Sequence, residues 1–271
     1  MKQKKKVLPK KASLKKLSFF KKAKPSNDRD WSKDQEILPH AKIEGDMVHV
    51  FNIRNFSYKT TKDYEPDYYD KTFDAGTIKK VNYVIEPFGI LPGQAHVLLS
   101  FEFENETFLA ISVEIRKKKG DEFYAYSCLY KNFELMYVIG SEEDLIQLRT
   151  THRGDRVYMY SLNLSKEKAK ELFLDMVYRA NKLKDEPEFF KLLSNSCVSN
   201  VVTHINKVAP NSLPFIRTTL APKKSDKVLH RRGLIDNSRP FEEVREKHYI
   251  SGHARDVEDS SHFSKKIRRG R

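Results

Sequence analysis

The chain has 271 residues, 39% of them hydrophobic, and a formal net charge of +14 from 51 Lys and Arg against 37 Asp and Glu. That is enough apolar material for one core of ordinary size, while no run approaches the roughly eighteen apolar residues of a membrane-spanning helix. Two distant cysteines, Cys128 and Cys197, make neither a disulfide framework nor a zinc knuckle, and no His or Cys cluster has ligand spacing, so no metal and no cofactor is expected.

A charge of +14 suggests nucleic-acid binding until its distribution is read. Residues 1–24 carry eleven lysines and no acid, and the last seven residues carry five Lys and Arg; setting those sixteen charges aside leaves −2 for residues 25–264. The body is close to neutral, and no specific nucleic acid is expected. The two ends read as solvating tails, with adhesion of residues 1–24 to an anionic membrane surface as the functional alternative. Leu14, Leu17 and Phe20, three apart among lysines, suit a short membrane-surface helix. No secretory h-region follows the lysines, which by itself predicts a cytoplasmic or peripheral chain.

After this arm, Lys24 to Trp31 reads as a polar loop anchored by the only tryptophan. Met47 to Ile53 is a strand, and Phe56 to Phe73, with Tyr58, Tyr64, Tyr68 and Tyr69, reads as irregular structure over one end of a sheet. Val81 to Ile85 is a second strand that stops at Pro87, and Phe88 to Gly93 is a loop.

The next two strands carry the most information. From Ala95 to Phe103 one face holds Val97, Leu99, Phe101 and Phe103; from Thr107 to Ile115 one face holds Leu109, Ile111, Val113 and Ile115. If both apolar faces meet one core, the even-numbered residues of both strands share the other face. A three-residue turn centred on Asn105 pairs positions whose numbers sum to 210, which sets His96 opposite Glu114 at about 5 Å between Cβ atoms. Taken singly, His96 reads as a satisfied core histidine and Glu114 as a solvated charge. Taken with a thiol at a helix start they read as a catalytic pair, the carboxylate fixing the ring and favouring its protonated form.

Phe133 to Ile139 is strand-like, and Ser141 caps a helix start before Leu145 to Leu148. Thr151 to Asp155 is a polar turn in which His152 and Arg153 are candidates to bind an anionic or carbonyl group. Val157 to Leu162 is a strand. Ser165 caps a helix with Ala169, Leu172, Phe173, Met176, Ala180 and Leu183 in its core stripe, and Pro187 ends that region. Ser194 or Asn195 then serves as N-cap for Val198, Val201, Val202 and Ile205, placing Cys197 in the first turn, where unpaired amides and the helix dipole favour a nucleophilic thiolate. The bland alternative is a small buried apolar residue. Cys128, between Tyr126 and Tyr130, reads as packing; His204, two turns after Cys197, is too far along the helix to be its base. Beyond Ile205, prolines 210, 214 and 222 predict a long extended connection, and a C-terminal piece with few apolar residues wraps over the domain.

The order histidine strand, carboxylate strand, cysteine at a helix start is that of circularly permuted papain-like amidases and acyltransferases. Within that group the chain resembles the bacterial Lnb-type lipoprotein N-acyltransferase N-terminal periplasmic domain family, on Asp30-Trp31, Asn52-Ile53-Arg54-Asn55-Phe56 with Tyr58, Tyr68-Tyr69-Asp70, Gln94 to Phe101, Ile111 to Arg116, Tyr137 to Gly140, His152-Arg153-Gly154-Asp155, Ser194-Asn195-Ser196-Cys197 and Gly233 to Asp236. The resemblance covers residues 29–240. It departs at Ser196, where relatives tend to carry asparagine, and at Val198, where they tend to carry threonine.

The resemblance implies an α+β, circularly permuted papain-like domain whose antiparallel sheet packs on the helix carrying the cysteine. It implies a cysteine acyl-enzyme, with Cys197 matching the family nucleophile, His96 its histidine and Glu114 the acidic position, and a lipid or lipoprotein substrate on a periplasm-facing, membrane-associated protein. Asn195, Tyr69, Arg116, His152 and Arg153, all within matching stretches, are the candidates for substrate binding. The expected organisation is a basic flexible arm at 1–28, the acyltransferase or hydrolase domain at 29–240 and a polar, basic extension at 241–271. A thiol amidase or peptidase would serve from the same residues, and the alternative outside enzymes is a binding module that uses the lysine arm on anionic membrane or nucleic acid.

Overall fold

The computed structural model describes residues 24–89, 93–121, 132–210, 212–255 and 262–270. The reading of Leu14, Leu17 and Phe20 as a surface helix and of Cys128 as packing lies outside the described residues. The strands are β1 (His40–Glu44), β2 (Met47–Arg54), β3 (Ser57–Tyr58), β4 (Tyr64–Glu65), β5 (Tyr68–Asp74), β6 (Ile78–Pro87), β7 (Ala95–Phe103), β8 (Phe108–Arg116), β9 (Glu134–Gly140) and β10 (Tyr158–Ser161). Strands β3 and β4 pair with each other; the rest form an eight-stranded sheet in the order β1-β2-β9-β8-β7-β6-β10, with β5 added to β2. Its pairings are antiparallel except β2 with β9, which run parallel where Arg54 faces Gly140. Only a glycine allows that approach, because a Cβ on Gly140 would stand 2.9 Å from the Arg54 carbonyl oxygen.

The helices are α1 (Glu142–Leu145), α2 (Lys166–Asp185), α3 (Cys197–Val208), α4 (Phe215–Leu220), α5 (Ser225–Arg231), α6 (Phe241–Lys247), α7 (Ser251–Arg255) and α8 (Phe263–Lys266), with a π turn at Leu148–His152. Ser141 and Ser165 cap α1 and α2 by accepting from Asp144 N–H and Lys168 N–H. The apolar stripe of α2 (Leu172, Phe173, Met176) and that of α3 (Val198, Val201, Val202, Ile205) pack on Val97, Leu99, Phe101, Leu109, Ile111 and Val113 in one core. The fold is therefore mixed α+β with the two longest helices on one face of the sheet.

The even-numbered face of β7 and β8 is covered as well. Leu98, Ala110, Met136 and Val138 meet Leu145, Ile146, Ile250, Ala254, Phe263 and Ile267 in a second core. The reading of the C-terminal run as a solvating basic tail is thus corrected: Phe263 and Ile267 are fully buried, and Arg268, next after Ile267, is turned inward. Arg268 donates to Glu142 Oε1 and Oε2 at 2.7 Å and stacks 4.0 Å from the Phe108 ring centroid, while Ser100 also donates to Glu142. A charged residue is tolerated there because its partner is buried with it and the remaining lone pairs are occupied.

Two further readings are corrected. Phe56 to Phe73 is not wholly irregular, since it contains the β3–β4 hairpin and most of β5, paired along β2 from Met47–Asp74 to Arg54–Tyr68. The aromatic and acidic residues there hide a half-exposed edge strand, in which only Phe73 is buried. Beyond Ile205 the chain is helical, not extended: α3 runs on to Val208, and Pro214 and Pro222 precede or open helical turns, where a missing N–H costs nothing.

Candidate active site

Cys197 is the first residue of α3. Its N-cap is Ser196, not Ser194 or Asn195: the Ser196 hydroxyl accepts from Ser199 N–H at 3.3 Å and the Ser199 hydroxyl accepts from Ser196 N–H at 2.7 Å, a reciprocal capping box built from two serines. Asn195 is taken up by the turn before it. Lys191 and Asn195 exchange backbone hydrogen bonds at 3.2 and 2.8 Å, and the Asn195 amide donates to Phe189 O and Glu188 Oε2. Cys197 is left half-buried between buried Ser196 and Val198, with free amide N–H groups at the helix start.

The β7–β8 connection is a tight turn with Asn105 in the left-handed region (φ 59°) and Phe103 N–H bonded to Thr107 O at 2.8 Å. It pairs Leu98 with Ser112, Leu99 with Ile111 and Ser100 with Ala110. One step further along the same face, His96 Nε2 lies 3.3 Å from Glu114 Oε1. Ser112 stands between them: its hydroxyl donates to Glu114 Oε1 at 2.7 Å and lies 2.8 Å from His96 Nε2. A hydroxyl has one proton, and a carboxylate can only accept. With that proton given to Glu114, Ser112 Oγ must receive the proton on His96 Nε2, which leaves Nδ1 as the ring's basic nitrogen. Cys197 lies close enough to the His96 ring to act on its charge state.

Electrostatics favour a protonated ring. Burial is the largest single influence and opposes the charge on His96, as does Arg149, but Glu114 and Cys197 together more than offset them, so the pKa rises from 6.5 to about 9. Glu114 is held well below the carboxylate range; burial raises it, and His96, Arg149 and the Ser112 hydroxyl lower it by more.

Three residues not singled out from sequence complete the cluster. Arg149, in the π turn, donates from Nη2 to Glu114 Oε1 at 2.7 Å and from Nε to Glu86 Oε2 at 2.9 Å. Glu86 stands opposite His96 in the β6–β7 register and is buried. Asp155 is pushed up to about 7 by burial and by the neighbouring Glu86 carboxyl. Ser112 had a signal in the sequence, being two positions from Glu114 on the same face. Arg149 had none, because its approach depends on how the π turn folds back over the sheet.

The structure thus brings Cys197, His96 and Glu114 together, with Arg153 at the margin, its Nη1 3.5 Å from Glu86 Oε1. His152 packs its ring 5.7 Å from that of Tyr58 instead. Arg116 and Tyr69 make no contact with the pair among the described residues. Arg116 spends its donors on Gln35 O, Glu36 O and Asn27 Oδ1 and lies 4.2 Å from the Trp31 ring, so it anchors the N-terminal loop. Tyr69 pairs with Ile53 at the β2–β5 edge. His204 is held by Asp175 at 2.5 Å and Tyr137 at 2.6 Å. No group of His, Cys, Asp or Glu suited to a metal occurs among the described residues.

No curated protein and no solved structure matches the chain. A family model does: that of the Lnb N-terminal periplasmic domain, over residues 64–223, more than half of the chain and a span that contains His96, Ser112, Glu114, Arg149 and Cys197. The chain belongs to the Lnb N-terminal periplasmic domain family.

Proposed function

We propose that the chain is a cysteine acyltransferase or hydrolase working through a thioester on Cys197, in a lipoprotein-processing context on the periplasmic side, its fold a permuted papain-like one centred on residues 29–240. The observation that carries this reading is the convergence of Cys197, at a helix start, with the buried His96 ring, whose Nε2 is held by Ser112 and Glu114.

With the pair's shared proton already on the His96 ring, as its raised pKa favours, sulfur attacks the carbonyl carbon of an ester or amide. The oxyanion is met by backbone N–H at the start of α3. When the tetrahedral adduct collapses, His96 returns the proton to the departing alcohol or amine, and the acyl group stays on sulfur. An incoming amine or water then attacks the thioester, giving its proton to His96, and the thiol is restored. Glu114 stabilises the imidazolium at both stages without itself taking the proton. A lipid or lipoprotein ester is the substrate class that membership of this family supports.

Mass spectrometry of the chain incubated with a diacylglyceryl lipopeptide tests this. A fatty-acyl mass is expected on Cys197, and Cys197→Ala is expected to fold and to lose turnover. Equal turnover in Cys197→Ala would end the proposal, and a peptidyl mass on the sulfur would replace acyl transfer with amide hydrolysis.

A further inference from the structure

Helix α4 is inside out. Its threonines, Thr218 and Thr219, are buried against the protein, with their hydroxyls donating to Pro214 O and Phe215 O, while Ile216 is 73% exposed, Leu220 61% and Phe215 38%. The turn ahead of Cys197 also points Leu192 (47%) and Leu193 (55%) into solvent. These are five of the eight large apolar side chains that are exposed among the described residues. An exposed apolar cluster of this kind marks a surface that something covers.

Both groups adjoin segments that carry the thiol or its base, one along the chain and one through a backbone contact. Leu193 is four residues before Cys197. The end of α4 leans on the turn before His96, where Lys223 N–H donates to Gly93 O at 3.1 Å and Leu220 O lies 4.0 Å from where a Gly93 Cβ would stand. Charge is equally one-sided. From Phe189 to Ser225 there is no Asp or Glu, and the segment carries Lys191, Lys207, Arg217, Lys223 and Lys224. Lys207 pairs with Asp175; the other four have no ion pair among the described residues.

We propose that this rim is an interfacial docking surface for an anionic phospholipid bilayer: Leu192, Leu193, Phe215, Ile216 and Leu220 enter the acyl boundary while Lys191, Arg217, Lys223 and Lys224 meet the headgroups. Exposed apolar side chains accompanied along the chain by cations with no ion pair among the described residues match a bilayer's layering of hydrocarbon under negative charge. The assignment rests on the acyl-enzyme reading, since a rim seated in lipid around Cys197 lets an ester reach sulfur without crossing water. It is independent of the lysine arm at residues 1–24.

The test uses the 271-residue chain with Cys128→Ser, Cys197→Ala and Ile216→Cys, labelled at the single thiol with an environment-sensitive fluorophore; a second protein carries the label at Tyr178→Cys, an exposed position on α2. With vesicles of phosphatidylcholine plus phosphatidylglycerol, the label at 216 is expected to shift to the blue and be quenched by spin-labelled acyl chains, and the label at 178 to stay aqueous. Adding Leu192→Ser and Leu220→Ser is expected to weaken partitioning by about tenfold or more. Sedimentation with vesicles while the label at 216 stays aqueous would mean attachment elsewhere, as by the lysine arm, and overturns the proposal; so does absence of binding. A response no larger with phosphatidylglycerol than without it overturns the anionic assignment. Because the labelled proteins lack Cys197, docking is read without chemistry. Docking together with no acyl adduct on the unsubstituted chain removes the acyltransferase reading alone, and an adduct without docking removes this one alone.

Discussion

The Ser112 hydroxyl gives its one proton to Glu114 Oε1 at 2.7 Å and so can only receive the proton of His96 Nε2 at 2.8 Å. One serine therefore decides which ring nitrogen carries hydrogen and which is free to act as base.

Ser112→Ala removes that bridge and leaves Glu114 3.3 Å from the ring with poorer alignment. Thiol alkylation by iodoacetamide and kcat/KM are both expected to fall by on the order of tenfold, with the melting temperature little changed and with rescue by Ser112→Thr. Unchanged alkylation across the pH range would show that the tautomer is set without Ser112.

The raised His96 pKa has a sign for stability. Between 6.5 and about 9 the folded protein holds a proton that the unfolded chain has released, so unfolding free energy falls as pH rises through that window and is flat below it for this group. Asp155, raised to about 7, contributes the same sign at lower pH. Urea unfolding at a series of pH values is expected to show the decline, and Glu114→Gln, by removing the principal cause of the His96 shift, to flatten its upper part. A wild-type slope retained in Glu114→Gln would mean that another group titrates there.

Arg268 seats the C-terminal helix by pairing with Glu142, whose side chain is fully buried. Arg268→Ala leaves that carboxylate without a cation, a loss of about 3–5 kcal/mol for a broken buried pair, or on the order of 10 °C in melting temperature for a domain of this size. Arg268→Met with Glu142→Gln is expected to recover much of it. A shift below about 2 °C in Arg268→Ala would show that the C-terminal helix is held by Phe263 and Ile267 alone.

The most legible part of the site was the β7–β8 hairpin. Strict alternation over nine residues on each strand, with a turn of three between, admits few registers, and side-chain parity then puts His96, Ser112 and Glu114 on one face. The helix start at Cys197 was legible to within two residues, the error arising because Ser196 and Ser199 cap reciprocally while Asn195 serves the preceding turn. Both patterns are local, and local patterns survive in a sequence because backbone geometry alone enforces them.

What joins distant segments did not show in the sequence. Arg149 reaching Glu114 and Glu86, α4 turning its apolar side outward, and Arg268 closing a second core on the face of the sheet opposite α2 and α3 each depend on how elements far apart in the chain dock. A charge run such as Lys265 to Arg269 looks the same on a solvated tail as on a helix whose one arginine faces a buried glutamate. The sequence determined the β7–β8 hairpin, α2 and the start of α3, and which of their residues share a face. Only the tertiary structure decided which charges are paired in the interior, because the low dielectric that makes such pairs necessary exists only once the second layer is in place.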